Sequence, residues 1–149
     1  MKNLTLVAAI ALVGSGAIAA ETMPGDVAFE DGQVAMSLTG GEGDAAEGRK
    51  VFKNRKLGNC LACHVNSDMP EELFHGEVGP PLDGVADRWE VAELRGIVAN
   101  AKMTFDGTIM PAFYTDTGYN RPLDKFDGKS ILTAQQVEDV IAYLLTLKE

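Results

Sequence analysis

The stretch GNCLACHVNS, residues 58–67, determines how the rest of this sequence is interpreted. It holds both cysteines of the chain, Cys60 and Cys63, and one of its two histidines, His64. Within a helical turn, two cysteines three positions apart present their thiols on the same side. Two thiols and an imidazole therefore lie together in a chain that has no other cysteine.

Cys-x-x-Cys-His is the attachment pattern of c-type haem. Two thiols one helical turn apart reach the two vinyl groups on one edge of a porphyrin and form thioethers, which holds His64 beneath the iron. Zinc is the main alternative, but a structural zinc site takes four ligands. Outside this stretch the chain has no cysteine and one histidine, His75. We therefore predict one covalent haem c, attached through Cys60 and Cys63 and ligated by His64.

The ligand on the opposite side of the iron has four candidates: Met69, His75, Met103 and Met110. Met69 and His75 follow His64 closely, so we expect both on its side of the haem. Met110 precedes Pro111 in GTIMPAF, and a residue before proline is held extended, which helps to direct a thioether. We favour Met110 for this reason. A His/Met pair would fill both axial positions, which favours electron transfer over oxygen chemistry and argues against a ligand sensor.

Composition and the N-terminus indicate an exported protein. The 149-residue chain carries a formal net charge of −9, which argues against binding nucleic acid through its phosphates. After Lys2, the apolar run LTLVAAIALVGSGAIA ends in small residues, as a secretory signal does. We expect a signal peptide over residues 1–20, cleaved near Ala19 or Ala20, and a periplasmic protein with no membrane span after cleavage. A membrane anchor is the alternative.

Export also permits a disulfide or a dithiol redox site at the two cysteines. A thioredoxin-like site is expected within a strand-and-helix unit, and no strand pattern precedes Cys60. A redox dithiol also leaves the adjacent His64 unexplained.

An acidic N-terminal extension over residues 21–43 precedes the main domain, which we place at 44–149. Val27 and Phe29 alternate before Asp31-Gly32, and further apolar residues alternate after it. Asp-Gly between such runs predicts a short β-hairpin; a disordered linker is the alternative.

Three helices are predicted in the main domain. The first begins near Asp44, and the second spans 87–100, with Asp87 and Glu90 forming a capping box. The last begins at Thr133 and continues to the end of the chain. The segments between them are rich in glycine and proline, which predicts loops.

The order of these parts resembles the class I cytochrome c family over residues 44–149. The stretches that carry the resemblance are GRKVFKN, CLACH, VGPPLDG, IMPAF and QVEDVIAYLLTL. The resemblance implies an all-α fold around a covalent haem, with the first and last helices crossing where Gly48 and Phe52 meet Tyr143. It also implies that the carbonyl of Pro80 accepts a hydrogen bond from His64 and that Met110 is the distal ligand.

A finer resemblance is to the SoxX family, the small monohaem subunits of the SoxAX cytochromes of bacterial thiosulfate oxidation. It rests on VAFEDGQVAMSLTG, GEVGPPLDGVADRW, LRGIVANAK and DGTIMPAFY. It implies a heterodimer with a larger SoxA-type cytochrome, in which thiosulfate is joined to a carrier-protein cysteine and this chain passes electrons to a downstream cytochrome. The extension over residues 21–43 would contact the partner. A free-standing cytochrome c that shuttles electrons to an oxidase or reductase is the alternative.

Basic residues near the haem motif suggest two further roles. A cluster beside it could guide an acidic electron partner; its members are Arg49, Lys50, Lys53, Arg55 and Lys56. A second group could reach the haem propionates: Arg88, Trp89 and Arg95. An ordinary surface or core role is the alternative for every member of both groups.

Overall fold

The computed structural model describes residues 20–149. The predicted signal peptide therefore lies outside the described residues, apart from Ala20. Four α-helices form the fold: α1 (Ala45–Lys53), α2 (Val85–Arg88), α3 (Val91–Asn100) and α4 (Ala134–Leu144). Short 3-10 turns lie at Pro24–Asp26, Cys60–Ala62, Ala101–Met103 and Asp124–Phe126. Residues 20–149 contain no β-strand, and the all-α class is confirmed.

Helix α1 begins where its capping residue predicts. The Asp44 side chain accepts hydrogen bonds from the backbone amides of Ala46, at 2.7 Å, and Glu47, at 3.1 Å. These bonds satisfy two amides that have no partner within the helix. The predicted start near Asp44 is confirmed.

Helices α1 and α4 cross at a glycine. A β-carbon at Gly48 would overlap the carbonyl oxygen of Asp139, so only glycine permits this approach. The rings of Phe52 and Tyr143 meet edge to face, with centroids 5.4 Å apart, a favourable arrangement for aromatic pairs. The predicted crossing of the first and last helices is present.

The predicted second helix is interrupted, and its predicted capping box was wrong. Trp89 is extended, with φ −136° and ψ 139°, so α2 ends before it and α3 begins after Glu90. The amide of Glu90 donates to Oε2 of Glu93 at 2.8 Å, which makes Glu90 and Glu93 the capping box. Asp87, Glu90 and Glu93 are three positions apart, so the spacing of a capping box fits either the first two or the last two of them. Asp87 instead accepts from the amide of Glu149 at 2.9 Å.

Helix α4 begins with the box that its sequence indicates. The Thr133 hydroxyl accepts from the amide of Gln136 at 3.2 Å, and the Gln136 side chain accepts from the amide of Thr133 at 3.0 Å. Two amides at the start of the helix are thereby satisfied. The helix ends at Leu144 rather than continuing to the end of the chain.

The N-terminal extension contains the predicted turn without the strands. Asp31 and Gly32 both have positive φ, 50° and 80°, and Glu30 and Gln33 exchange two backbone hydrogen bonds of 2.9 Å. Such a turn suits a two-residue hairpin. The pairing ends after this one bridge, because the following residues lie along helix α3; the amide of Val34 donates to the carbonyl of Ala92 at 2.9 Å.

A buried ion pair fastens the extension to helices α3 and α4. Arg95 Nε donates to Glu138 Oε1 at 2.9 Å, and Arg95 Nη1 donates to the carbonyl of Val34 at 2.8 Å. Glu138 Oε1 also accepts from the amide of Leu38 at 2.8 Å. Val34 and Leu38 are buried in the core. The extension is therefore packed against the domain, and the disordered-linker alternative does not describe it.

Candidate haem site

A largely apolar cavity of about 580 Å³ receives residues from all four α-helices. Its volume lies within the range of about 300–1,000 Å³ that cofactor sites usually have. Its walls carry many hydrophobic side chains, among them Phe52, Leu82, Val85, Trp89, Leu94, Ile97, Phe113 and Leu144. Cys60, Cys63, His64 and Met110 line the same cavity. It can therefore hold a flat apolar group between an imidazole and a thioether.

The two cysteines lie on a 3-10 turn that follows a left-handed residue, Asn59, with φ 50°. The amides of Cys63 and His64 both donate to the carbonyl of Cys60, at 3.1 and 3.0 Å. No disulfide joins Cys60 to Cys63. Burial raises the pKa of the Cys60 thiol to about 12, whereas redox dithiols require a lowered thiol pKa.

The His64 ring is fixed by its neighbours. Its Nδ1 lies 2.7 Å from the carbonyl oxygen of Pro80. A carbonyl oxygen only accepts, so Nδ1 carries the proton and the lone pair of Nε2 is free to bind a metal. A β-carbon at Gly79 would overlap the ring, so glycine is required beside it. The hydrogen bond implied by the family resemblance is present in the structure.

Backbone hydrogen bonds hold the loop that carries Pro80 against the Cys-x-x-Cys-His turn. The amide of Gly76 donates to the carbonyl of Leu61 at 2.8 Å, and the amide of Gly79 donates to that of Cys63 at 2.8 Å. The imidazole is thus oriented by a segment that is itself tied to the turn beside it.

The four candidates for the opposite ligand lie in different environments. Met69 is fully buried in the core. His75 uses both ring nitrogens: Nδ1 accepts from the amide of Asn66 at 3.2 Å, and Nε2 donates to the carbonyl of Met69 at 3.1 Å. Met103 is 52% exposed. Met110 is half-buried and is the one of the four that lines the cavity with His64.

Comparison with known proteins identifies the family. The sequence model for cytochrome c matches residues 45–148. A chain in the crystal structure of SoxXA from P. pantotrophus is 52% identical, with a TM-score of 0.82, and the match covers 87% of this chain and 100% of that one. The chain belongs to the cytochrome c family and, within it, to the SoxX cytochromes. Its cofactor is one covalent haem c.

Other comparisons add less. Ferric cytochrome c-550 from Paracoccus versutus is 22% identical, over 72% of this chain and 100% of that one, with a TM-score of 0.41. No curated protein sequence matches significantly. Across residues 20–149, each helix is too short or too polar to cross a membrane.

The donor groups of this SoxX cytochrome fit haem c. Two thiols for attachment, an imidazole nitrogen and a thioether all line one apolar cavity. Among residues 20–149, no three His, Cys, Asp or Glu side chains are grouped so that they could hold a metal ion, whereas a structural zinc site takes four such ligands. Cys60, Cys63 and His64 would hold the haem, with Met110 opposite.

The basic residues near the haem motif have partners that the sequence did not reveal. Arg49 pairs with Asp68 at 3.1 Å and with Glu71 at 2.9 Å. Lys50 and Lys53 also form ion pairs, with Glu47 and Glu72. These three cations are therefore locally neutralised, which leaves Arg55 and Lys56 of the predicted docking cluster at the cavity.

The three proposed propionate residues have separate environments. Arg88 donates to the carbonyls of Asp83, at 2.6 Å, and Pro81, at 2.8 Å. Arg95 is committed to the buried pair with Glu138, so it does not serve a propionate. Trp89 lines the cavity.

A buried polar network beside the proximal loop was missed by sequence reasoning. Asn66 is fully buried, and its side-chain amide donates to the Tyr143 hydroxyl at 2.9 Å. That hydroxyl donates to Asp68 Oδ2 at 2.8 Å. Burial, and then the hydrogen bond to Asp68, raises the pKa of Tyr143. The network fastens the segment after His64 to helix α4.

Proposed function

We propose that this cytochrome is the electron-transfer subunit of a SoxAX-type complex in the periplasm. The observation that carries the proposal is the 52% identity to a chain of SoxXA over all of that chain. The partner is a larger SoxA-type cytochrome that holds the active-site haem. The enzyme formed by the two chains is an L-cysteine S-thiosulfotransferase.

The reaction releases electrons that this chain can carry. Thiosulfate forms a sulfur–sulfur bond with a carrier-protein cysteine, and the thiol loses its proton as two electrons leave. The two cysteines of this chain are committed to haem attachment, so the sulfur chemistry occurs outside it. The cytochrome accepts the electrons one at a time and passes them to a downstream cytochrome.

The roles of the site residues follow from their positions. Haem bound here supplies one-electron exchange at its iron. His64 would offer Nε2 to the iron, while the carbonyl of Pro80 holds the ring and its tautomer through the 2.7 Å bond to Nδ1. Met110 would offer a thioether, and a thioether ligand raises the reduction potential. The apolar walls would exclude water from the haem.

Association with a partner distinguishes this function from a free shuttle. We expect the haem-loaded chain to copurify with a larger SoxA-type cytochrome as a stable heterodimer, and to be reduced when thiosulfate and the carrier protein are added. A chain that stays monomeric with the larger cytochrome present would support the shuttle and contradict the proposal.

The predicted contact through residues 21–43 needs a finer test than deletion. Val34 and Leu38 belong to the core, so deletion would unfold part of the domain. Met36 is 77% exposed, and we expect Met36→Ser to weaken copurification while the haem spectrum stays unchanged. Leu73, also fully exposed but outside the extension, supplies the control variant Leu73→Ser. Equal partner affinity in the two variants would contradict a contact at Met36.

A further inference from the structure

The side chain of Lys102 holds the backbone of the loop that carries Met110. Lys102 Nζ donates to the carbonyl oxygens of Thr108 and Met110, each at 3.0 Å. Lys102 lies in the 3-10 turn Ala101–Met103, which directly follows helix α3. The preceding residue, Ala101, is fully buried, so the backbone from which the Lys102 side chain extends is held in place by packing.

The backbone of Met110 depends on side chains for its hydrogen bonds. Its amide donates to Thr108 Oγ1 at 3.2 Å, and its carbonyl accepts from Lys102. Pro111 follows and has no amide proton to offer. Ile109, on the other side, is 78% exposed. Two side chains, rather than a helix or a backbone ladder, therefore hold the backbone of Met110, which lines the cavity with His64.

The ammonium group of Lys102 donates to backbone carbonyls rather than to a carboxylate. Among residues 20–149, its ammonium group takes part in no ion pair. An ammonium group has three donors, and hydrogen bonds from a charged donor are stronger than those between neutral groups. The two carbonyl oxygens are thus the partners that this cation has.

We propose that Lys102 is a positioning residue for the distal ligand, fixing the Met110 backbone so that its thioether stays directed at the iron. The inference rests on the proposed role of Met110. Losing this link would let the loop open more often. A competing ligand would then bind more tightly, because it binds only when the thioether is displaced.

Three variants test the proposal in the oxidised, haem-loaded protein. Lys102→Met keeps the apolar stem and removes the donors, Lys102→Arg keeps charged donors, and Lys129→Met removes another exposed lysine as a control. We expect Lys102→Met to bind imidazole about fivefold more tightly, which corresponds to one exposed charged hydrogen bond. Amide hydrogen exchange should accelerate at residues 108–112. Lys102→Arg should reverse much of both changes, and Lys129→Met should cause neither.

Several outcomes would overturn the proposal. Imidazole affinity within twofold of the wild type in Lys102→Met contradicts it, and so does an equal increase in Lys129→Met. An equal acceleration of exchange throughout the protein would indicate general destabilisation and also contradicts it. The variant Met110→Ala separates the two hypotheses: if the weak far-red sulfur-to-iron charge-transfer band of the oxidised protein survives, Met110 is not the ligand. If that band is lost while Lys102→Met is inert, only the role of Lys102 is wrong.

Discussion

The two sides of the haem cavity are built in different ways. On the proximal side, His64 adjoins a cysteine in the chain, and its ring is held by the carbonyl of Pro80 and packed against Gly79. On the side that we assign to the distal ligand, Met110 comes from a loop whose backbone is held by Lys102 and Thr108. His64 is fixed by its neighbours in the motif and by close packing, whereas the backbone of Met110 is held by hydrogen bonds from two side chains.

This difference indicates where the site can change without losing its cofactor. Disturbing the proximal side should affect haem attachment or the stability of the fold. Disturbing the distal side should change the ligand at the iron while the haem and the fold remain. The following variants separate these two consequences.

The largest effect is expected from the attachment residues. The double variant Cys60→Ala/Cys63→Ala should lack covalent haem, because neither thioether can form. Each single variant should retain weakened attachment at most. Haem staining of denaturing gels measures this directly. Normal staining of the double variant would show that haem is attached by other groups.

The next effect concerns the distal ligand. Met110→Ala should remove the weak far-red sulfur-to-iron band and let carbon monoxide bind the reduced protein. It should also lower the potential by a sizeable part of the about 0.8 V that axial ligands span. Met103→Leu should leave all three unchanged, since Met103 lies outside the cavity lining and the side chains have similar volumes. Loss of the band in Met103→Leu alone would mean that the wrong methionine was chosen.

A pair of tyrosine variants compares the two sides through the same chemical change, the removal of one hydroxyl group. Tyr143→Phe leaves the buried amide of Asn66 without its acceptor, so we expect a loss of about 1–3 kcal/mol in the free energy of unfolding. Imidazole affinity should stay unchanged. The Tyr119 hydroxyl lies 2.9 and 2.8 Å from the carbonyl oxygens of Ala112 and Thr115.

Tyr119→Phe should therefore cost about 1 kcal/mol or less in the free energy of unfolding, since both lost hydrogen bonds are only partly buried, and it should tighten imidazole binding. Chemical denaturation and imidazole titration of both variants supply the measurements. Similar changes in imidazole affinity for the two variants would remove the distinction between the sides.

The smallest effect is a dependence of stability on pH at the proximal surface. Hydrogen bonds from Arg49 lower the pKa of Glu71 to about 2. A lowered carboxyl pKa stabilises the folded state above the unfolded value of about 4.3, and this contribution fades as the pH falls toward 2. The wild type should melt slightly above Glu71→Gln at pH 6, and the gap should close near pH 2. A gap that is constant with pH would exclude this ion pair as its source.

The proximal side could be predicted because its signals are local. Cys60, Cys63 and His64 form one continuous motif, and Thr133 starts helix α4 through a partner three residues away. The break at Trp89 could not be predicted, because acidic residues at 87, 90 and 93 offer two equivalent capping frames.

Contacts between distant residues left no such signal. Asn66 and Tyr143 meet because the segment after His64 packs against helix α4, and nothing in either residue's neighbourhood in the sequence indicates the other. Lys102 reaches Met110 only because the loop folds back over the end of helix α3. A surface lysine and a threonine are too common for sequence alone to suggest that they hold a ligand.

The buried pair of Arg95 and Glu138 has a consequence for the order of folding. It brings residues 34–38 together with helix α4, about 100 positions later in the chain. Contacts so far apart in sequence require a large loop to close, and such closure slows folding. Residues 34–38 therefore cannot pack fully until helix α4 has formed. Until then we expect the cavity to stay open and the cysteines between these two regions to remain accessible for haem attachment.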